Sequence, residues 1–595
     1  MKFKYTIPLF SILFISLLIS CQKEENNEPP PFANLDCESI ENILEALNKV
    51  NDDFEYVSNY DFSNGQLSLE ISDNSMVQID SGCVLKVKEL KDKSQLVIYF
   101  DDSNSFAINY RNAVDLDFIY NPNGYTPLSG RVDVRSNKEV KLKLTIRSKY
   151  QNEEDYSFTF NGSVTDAQLP VLGLYYDHNN RIYFELSDGN EVYYRDTSSV
   201  FIGVRPNYLP TIIVSKNEPE RTKAGMHFVS YRSAYPTTPF IIDNNGEFRY
   251  VLDFRNHPNL NNLNYDVGME RLKNGNYYFG NIGSSNVYEI DVLGNIINSW
   301  NFSPYIFHHN VQEKENGNLL VTVSAFDEHN SGFQAIEDWI IELDRNSGNV
   351  VNTWNLKESL NEDREIYGWA VYETVVDWAH VNAVIHDPRD NSIIVSCRTQ
   401  GVVKLDENNN VKWILGPHLE WGENGRGEDL NQYLLTPLAS SGAEIEDSDV
   451  LNGLEPHPDF EWPWYQHAPY LDQEGDLWIF DNGQDRNFRF GDQYSRAVEY
   501  KLNEDAMTIE QKWQYGKERG IECYSRIVSD VDFHNDVNTV YFCPGSRVQN
   551  GGGNFGGKII EVDYTTGEVL TEILINAPDI VFHRAEKMTL YPHNY

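Results

Sequence analysis

Apolar and polar residues alternate along much of this chain. Runs such as Leu67-Ser68-Leu69-Glu70-Ile71 and Val140-Lys141-Leu142-Lys143-Leu144 have the two-residue period of strands with one buried face. Asn64-Gly65 and Asp188-Gly189 supply tight turns between such runs. From residue 239 onward one unit recurs: a strand ending in Asp, a turn, and a second strand that often closes on Trp. It runs Ile241-Ile242-Asp243 with Asn245-Gly246, Glu289-Ile290-Asp291 with Gly294 and Trp300, and Glu342-Leu343-Asp344 with Gly348 and Trp354. It returns as Lys404-Leu405-Asp406 with Asn409 and Trp413, Lys501-Leu502-Asn503 with Trp513, and Glu561-Val562-Asp563 with Gly567.

These six copies recur at intervals of about 50 to 60 residues, with one of about 97. A hairpin cannot bury both faces alone, whereas four-stranded blades packed radially can. The pattern therefore predicts an all-β chain with a six-bladed β-propeller over residues 216–595, the Asp and Gly serving turns and the Trp packing between blades. An array of β-sandwiches is the other arrangement, but it has no need of six copies of one hairpin. The long interval holds an insertion from Pro417 to Trp464, rich in Trp, Tyr, Gly and acids, and is expected to form a lid or rim. Residues 34–215 lie outside the repeat and fit one or two β-sandwich modules.

The N-terminus changes the picture of where the chain works. Lys2 and Lys4 precede an apolar run from Ile7 to Ile19, too short to span a membrane as a mature helix. Leu18-Ile19-Ser20-Cys21 resembles a bacterial lipobox, which would make Cys21 the lipidated first residue of the mature protein after a signal peptide of residues 1–20. Residues 21–33 then form a tether. Lys23-Glu24-Glu25 resembles the acidic signal that carries some lipoproteins to the cell surface. The expectation is an exported lipoprotein on the periplasmic or outer face of an outer membrane. A formal charge of −42 argues against nucleic acid as a partner. An oxidising compartment permits disulfides: Cys37 with Cys83 and Cys523 with Cys543 are the candidate pairs, leaving Cys397.

Three histidines fall near the starts of repeat strands. His309 stands eight residues before Gly317, and His467 eight before Gly475, each glycine lying in a turn between the first two strands of a blade. His380, in Trp378-Ala379-His380-Val381-Asn382, opens another blade before a longer turn. Arg398 follows the second strand of that blade. His308 alternates to the other face and is expected to be structural. Any one of these histidines alone could be structural; three at matched positions point to a metal or to acid–base and nucleophilic chemistry. Arg398 repels a cation and welcomes an oxyanion, which favours a sulfate- or phosphate-like substrate and a neutral imidazole nucleophile.

Several longer segments resemble the bacterial arylsulfate sulfotransferases. They include Trp378–Asn382, Asp387–Ser396, Gln466-His467-Ala468-Pro469, Phe480-Asp481-Asn482-Gly483 and Trp513-Gln514-Tyr515-Gly516-Lys517. Upstream, Val171-Leu172-Gly173-Leu174-Tyr175 and Tyr208-Leu209-Pro210-Thr211-Ile212 resemble the family's N-terminal sandwich and its link to the propeller. The resemblance covers about residues 130–595. It implies an immunoglobulin-like β-sandwich at 130–215 and a catalytic propeller at 216–595, with 34–129 left as an extra N-terminal β-module.

It further implies transfer of a sulfuryl group from an aryl sulfate ester to a phenolic acceptor, without the nucleotide donor PAPS and without a metal or cofactor. His467 would be the nucleophile that becomes sulfurylated. His309, His380 and Arg398 would bind sulfuryl oxygens and aid proton transfer, and Asn382 would hold the sulfate or orient a histidine. The family is often dimeric, which adds a homodimer to the partners expected. The pattern departs at Cys397-Arg398-Thr399-Gln400, which keeps the family's Arg and Gln. Two other readings are a non-catalytic surface propeller that binds glycan or protein, and a metal-dependent hydrolase or lyase on the same histidines.

Overall fold

The computed structural model describes residues 33–35, 40–188, 191–264, 268–368, 370–372, 374–489, 491, 493–578 and 580–595. Cys21, the signal-like run, the tether up to residue 32, and Cys37 lie outside the described residues. The chain divides into two compact units, residues 1–114 and 115–595. No helix among the described residues is long and apolar enough to cross a membrane.

The first unit is not purely β. Helix Ile40–Asp52 presents Ile43, Leu47 and Val50, spaced at the helical period, to a core shared with Leu67, Leu69, Ile79, Leu96 and Ile98. A four-stranded and a three-stranded sheet supply the rest. Cys83 is disulfide-bonded.

The second unit opens with a sandwich built around one 18-residue strand, Ser129–Ile146. Its first half pairs with Val164–Leu172 and its second half with Tyr156–Thr159 and His178–Ser187. Burial alternates along Val132–Ser136 and again along Val140–Ile146, the second stretch being the alternation seen in the sequence.

Six further sheets follow in chain order, each built on four strands. Their leading strands are Glu270–Arg271, Ile306–Glu313, Val381–Asp387, His467–Leu471, Asp530–His534 and Phe582–Met588. The last of these joins three strands from the start of the series, Met226–Tyr231, Phe240–Ile242 and Phe248–Val251, so the C-terminal strand completes the first sheet. Thr211–Asn217 likewise adds to the edge of the sixth sheet. Successive leading strands pack side by side.

The recurring Asp and Trp do separate jobs. Asp243, Asp291 and Asp406 each accept two backbone N–H bonds across their own turn. Trp300, Trp354 and Trp513 donate Nε1–H to the turn of the next sheet, at Arg345 O, Asp406 O and Tyr564 O, each at 2.8 Å. Trp413 breaks the series: its ring is buried, but Nε1 has no partner among the described residues. The insertion follows it, so the next repeat's turn is displaced.

That insertion is packed rather than open. Trp421, Trp462, Trp464 and Phe460 are buried to within 2 %. Trp421 lies under the guanidinium of buried Arg364, 3.8 Å from ring centroid to Cζ. These rings fill core instead of forming an aromatic rim, because the two flanking sheets supply apolar surface for them. Cys523 and Cys543 are both free and buried, which corrects the pairing expected from sequence. Cys543 ends a central strand, while Cys523 closes a 3-10 turn.

Candidate active site

The leading strands that carry or follow His309, His380 and His467 are bulged beside them. Pairing shifts between Phe307 and Val311, between Val381 and Ala383, and between His467 and Tyr470. His309, His380 and Ala468 take φ near +50° at these points. A bulge adds a residue and re-aims the side chains beside it. His309 is seated against Gly268, where a Cβ would stand 2.7 Å from the His309 carbonyl oxygen. The final leading strand has the same irregularity opposite Val229–Tyr231, and there it carries His583.

The bulges bring the histidines together. Ring centroids lie 4.9 Å apart for His309 and His380, 6.0 Å for His309 and His583, and 6.5 Å for His583 and His467. His308 does not turn away as simple alternation requires: the bulge breaks the period, and its Nδ1 lies 3.2 Å from His309 Nδ1.

His467 is held in one tautomer. Its Nδ1 faces two oxygens, Asn482 Oδ1 at 2.7 Å and Tyr465 O at 3.2 Å. Asn482 cannot flip without loss, because its Nδ2 donates to Ser525 O and Val528 O at 2.8 and 3.1 Å. Nδ1 therefore carries the proton, and Nε2 keeps a lone pair, toward which the Val528 N–H points from 3.3 Å. Burial, with His583 and Arg398 nearby, holds this imidazole well below its usual pKa, so it is neutral.

His380 has the opposite setting. Burial opposes its charge, but Asp377 and Glu337 outweigh burial and raise its pKa. Its Nδ1 donates to Asp377 Oδ2 at 2.5 Å and lies 3.1 Å from Glu337 Oε2. An imidazole held neutral and one whose pKa two carboxylates raise thus share one site.

Arg398 leaves its strand with its own N–H on His380 O, at 3.0 Å. Its guanidinium covers Tyr465 at 4.8 Å and donates to Gln484 Oε1 at 2.8 Å. Its Nε is buried with no hydrogen-bond partner among the described residues. A half-buried guanidinium whose buried Nε–H is spare is what an oxyanion would satisfy. Asn382 is fully buried and donates to the carbonyl of Gln466 at 2.7 Å, so it acts on the backbone that presents His467.

Asp481-Asn482-Gly483 shows how a short motif serves such a site. Asp481 accepts from Arg496 Nε, Arg486 Nη1 and Trp464 N at 2.7, 2.9 and 2.9 Å, anchoring the end of the insertion. Asn482 sets His467. At Gly483, φ is +75° and a Cβ would lie 1.9 Å from Tyr494 O, so only glycine passes there. The site also uses His583, Glu337, Asp377 and Gln484, which the sequence reading did not single out. His583 has no downstream glycine turn to set its register, since the strand paired with it, Met226–Tyr231, comes from far upstream.

The family model described as Arylsulfotransferase (ASST) matches residues 211–582, and the Arylsulfotransferase Ig-like domain matches 118–200. Arylsulfate sulfotransferase AssT of Escherichia coli O6:H1 (strain CFT073) is 28% identical over 557 residues, covering 78% of this chain and 91% of its own. The AssT of Lelliottia amnigena is 27% identical with the same coverage. Among solved structures, virginiamycin B lyase from Staphylococcus aureus aligns over 73% of this chain and 99% of its own at 10% identity, with a TM-score of 0.27, too low to carry an argument. With the family's model spanning most of the six-sheet region and its Ig-like model lying on the sandwich, this chain belongs to the arylsulfotransferase (ASST) family.

Proposed function

We propose that the six sheets are the blades of a six-bladed β-propeller, and that its histidine cluster transfers a sulfuryl group from an aryl sulfate ester to a phenol. The route is ping-pong, through a sulfurylated His467, and needs no PAPS. The observation that carries this reading is the pairing of a lone pair fixed on His467 Nε2 with Arg398, whose buried Nε–H has no hydrogen-bond partner among the described residues.

In the first half-reaction Nε2 bonds to sulfur and the S–O bond to the aryl group breaks. The departing phenolate takes the proton from His380. The Val528 N–H, no longer pointing at a lone pair, is left beside the sulfuryl oxygens. In the second half, the incoming phenol returns a proton to His380, its oxygen bonds to sulfur, and the N–S bond breaks. Charge accumulates on the peripheral oxygens, where Arg398 and His309 donate. Every proton that leaves His380 comes back, so the cycle needs no external acid. Asn382 holds the Gln466 carbonyl and thereby the nucleophile's backbone. With Cys21 lipidated, the enzyme works at a membrane surface on the exported side.

The test is turnover of p-nitrophenyl sulfate with and without phenol, and with EDTA. Nitrophenol release that depends on phenol and survives EDTA is expected, with turnover abolished in His467→Ala. Retained transfer in His467→Ala would overturn the nucleophile assignment. No turnover across several aryl sulfates would favour a binding propeller, and loss with EDTA a metal-dependent enzyme.

A further inference from the structure

We infer that His308, His309 and Glu337 form a binding site for one divalent transition-metal ion of the zinc class, and that its occupancy switches the transfer site off. The binding half stands on geometry alone; the inhibitory half rests on the transferase reading above.

One ring nitrogen each of His308 and His309 and a carboxylate oxygen of Glu337 lie within 4.8 Å of one another. The two Nδ1 atoms are 3.2 Å apart, and His309 Nδ1 is 3.7 Å from Glu337 Oε2. A tetrahedral zinc ion with bonds of about 2.0–2.1 Å places its donors about 3.3–3.4 Å apart. Two of the three edges are thus already within a few tenths of an ångström of a tetrahedral face, and the third is no longer than 4.8 Å. Two imidazoles and one carboxylate are also the donor set of open zinc sites, with a fourth position left for water or an oxyanion. Hard cations such as calcium or magnesium prefer more oxygens than this cluster offers.

The donors are held rather than loose. His308 is 2 % and His309 6 % exposed, and the Glu337 side chain 16 %. His309 and Glu337 both have left-handed backbones, with φ of +50° and +58°. The Thr322 hydroxyl donates to the His308 carbonyl and accepts the Asn310 N–H, pinning the bulge from below. In the metal-free protein the two Nδ1 atoms share one N–H···N bond. A bound ion replaces that proton, which leaves to solvent, and both rings serve as neutral ligands.

Glu337 links this site to the chemistry. The same Oε2 lies 3.1 Å from His380 Nδ1. An ion that draws on this oxygen removes one of the two carboxylates that face His380 and sets a positive charge beside it. A second donor set, Glu337 with Asp377 and His380, shares that oxygen, so one ion is accommodated and not two.

The experiment is calorimetric titration of the chelator-stripped full-length protein with zinc chloride, no substrate present, alongside p-nitrophenyl sulfate turnover over the same zinc range. One site per chain is expected, with turnover falling as it fills and returning with EDTA. His308→Ala should lose at least tenfold in zinc affinity, and its turnover, relative to its own metal-free rate, should resist zinc. His308→Gln, which keeps bulk and polarity, should behave likewise if the alanine variant folds poorly. Anomalous scattering at the zinc edge should place the ion between the two Nδ1 atoms. No stoichiometric binding, or binding unchanged in both variants, overturns the site. Binding without loss of turnover overturns the inhibition. A protein that binds zinc at these residues yet turns over no aryl sulfate would leave the site standing and fail the transferase reading instead.

Discussion

At the scale of single residues, the His467 imidazole is set by its neighbour. An imidazole in water exchanges its proton between two nitrogens, and only one tautomer presents Nε2. Asn482 removes the choice with one acceptor and two committed donors. Asn482→Ala should therefore lower kcat for aryl sulfate by roughly 10²- to 10³-fold, as happens when a catalytic histidine loses the partner that sets its tautomer. Binding of the donor should change little, and nitrogen NMR of labelled His467 should show the mixed tautomers. A kcat within threefold of the parent would mean that Tyr465 O alone orients the ring. Sequence reading reached His309, His380, His467 and Arg398 because repeat register and family resemblance both pointed at them. It did not reach Asn482's role, although the residue stood inside a quoted motif, because that role depends on which atoms lie across a strand turn. Nor did it reach Glu337, which acts on His380 from 43 positions away in the chain.

At the scale of elements, the Asp-turn-Trp unit was legible because each part answers a local need: the Asp caps its own turn, and the Trp reaches the next one. Bulges were not legible. They change neither composition nor period enough to be noticed, yet they undo the alternation that assigned His308 to the far side. The insertion was legible as an interruption but not as packed core, since its Trp residues look alike whether they line a rim or fill an interior. The Trp series allows a comparison within one molecule. Trp354→Phe removes one of the two hydrogen bonds that the Asp406 carbonyl accepts, leaving that from the Asn409 N–H, whereas Trp413→Phe removes an N–H with no partner among the described residues. The first should cost about 1–2 kcal/mol more than the second, read as the difference in denaturant midpoints. Equal costs would mean that ring packing alone, and not the inter-sheet bond, sets the value of these tryptophans.

At the scale of the whole molecule, the acidic excess of the sequence also reaches inside. A cavity of about 680 Å³ is lined by Glu270, Asp530, Asp532 and Glu586 together with Arg584. Arg584 lies 3.3 Å from Glu270 and 3.5 Å from Asp530, while Lys587 and His534, also at the wall, are engaged by Glu561. Arg584 and Lys223 are left to face four carboxylates. Burial pushes Asp530 up to about 8 and raises Asp532 and Glu586 as well. A carboxyl whose folded pKa is raised holds a proton that the unfolded chain has released. Its contribution is therefore complete below the unfolded value near 4 and is lost as pH climbs toward 8. The family's Arg and His chemistry gives no reason to expect this, because the strain lies in a different set of side chains from those that meet the sulfuryl group. Asp532→Asn keeps the size of the side chain and takes one charge out of the set. Its Tm should exceed the parent's by about 1–3 °C at pH 8.5, and the gain should vanish by pH 4.5, where the acids are protonated in either protein. A gain of equal size at both pH values would assign the effect to packing, and a loss at pH 8.5 would show that Asp532 is needed as a carboxylate to balance Arg584.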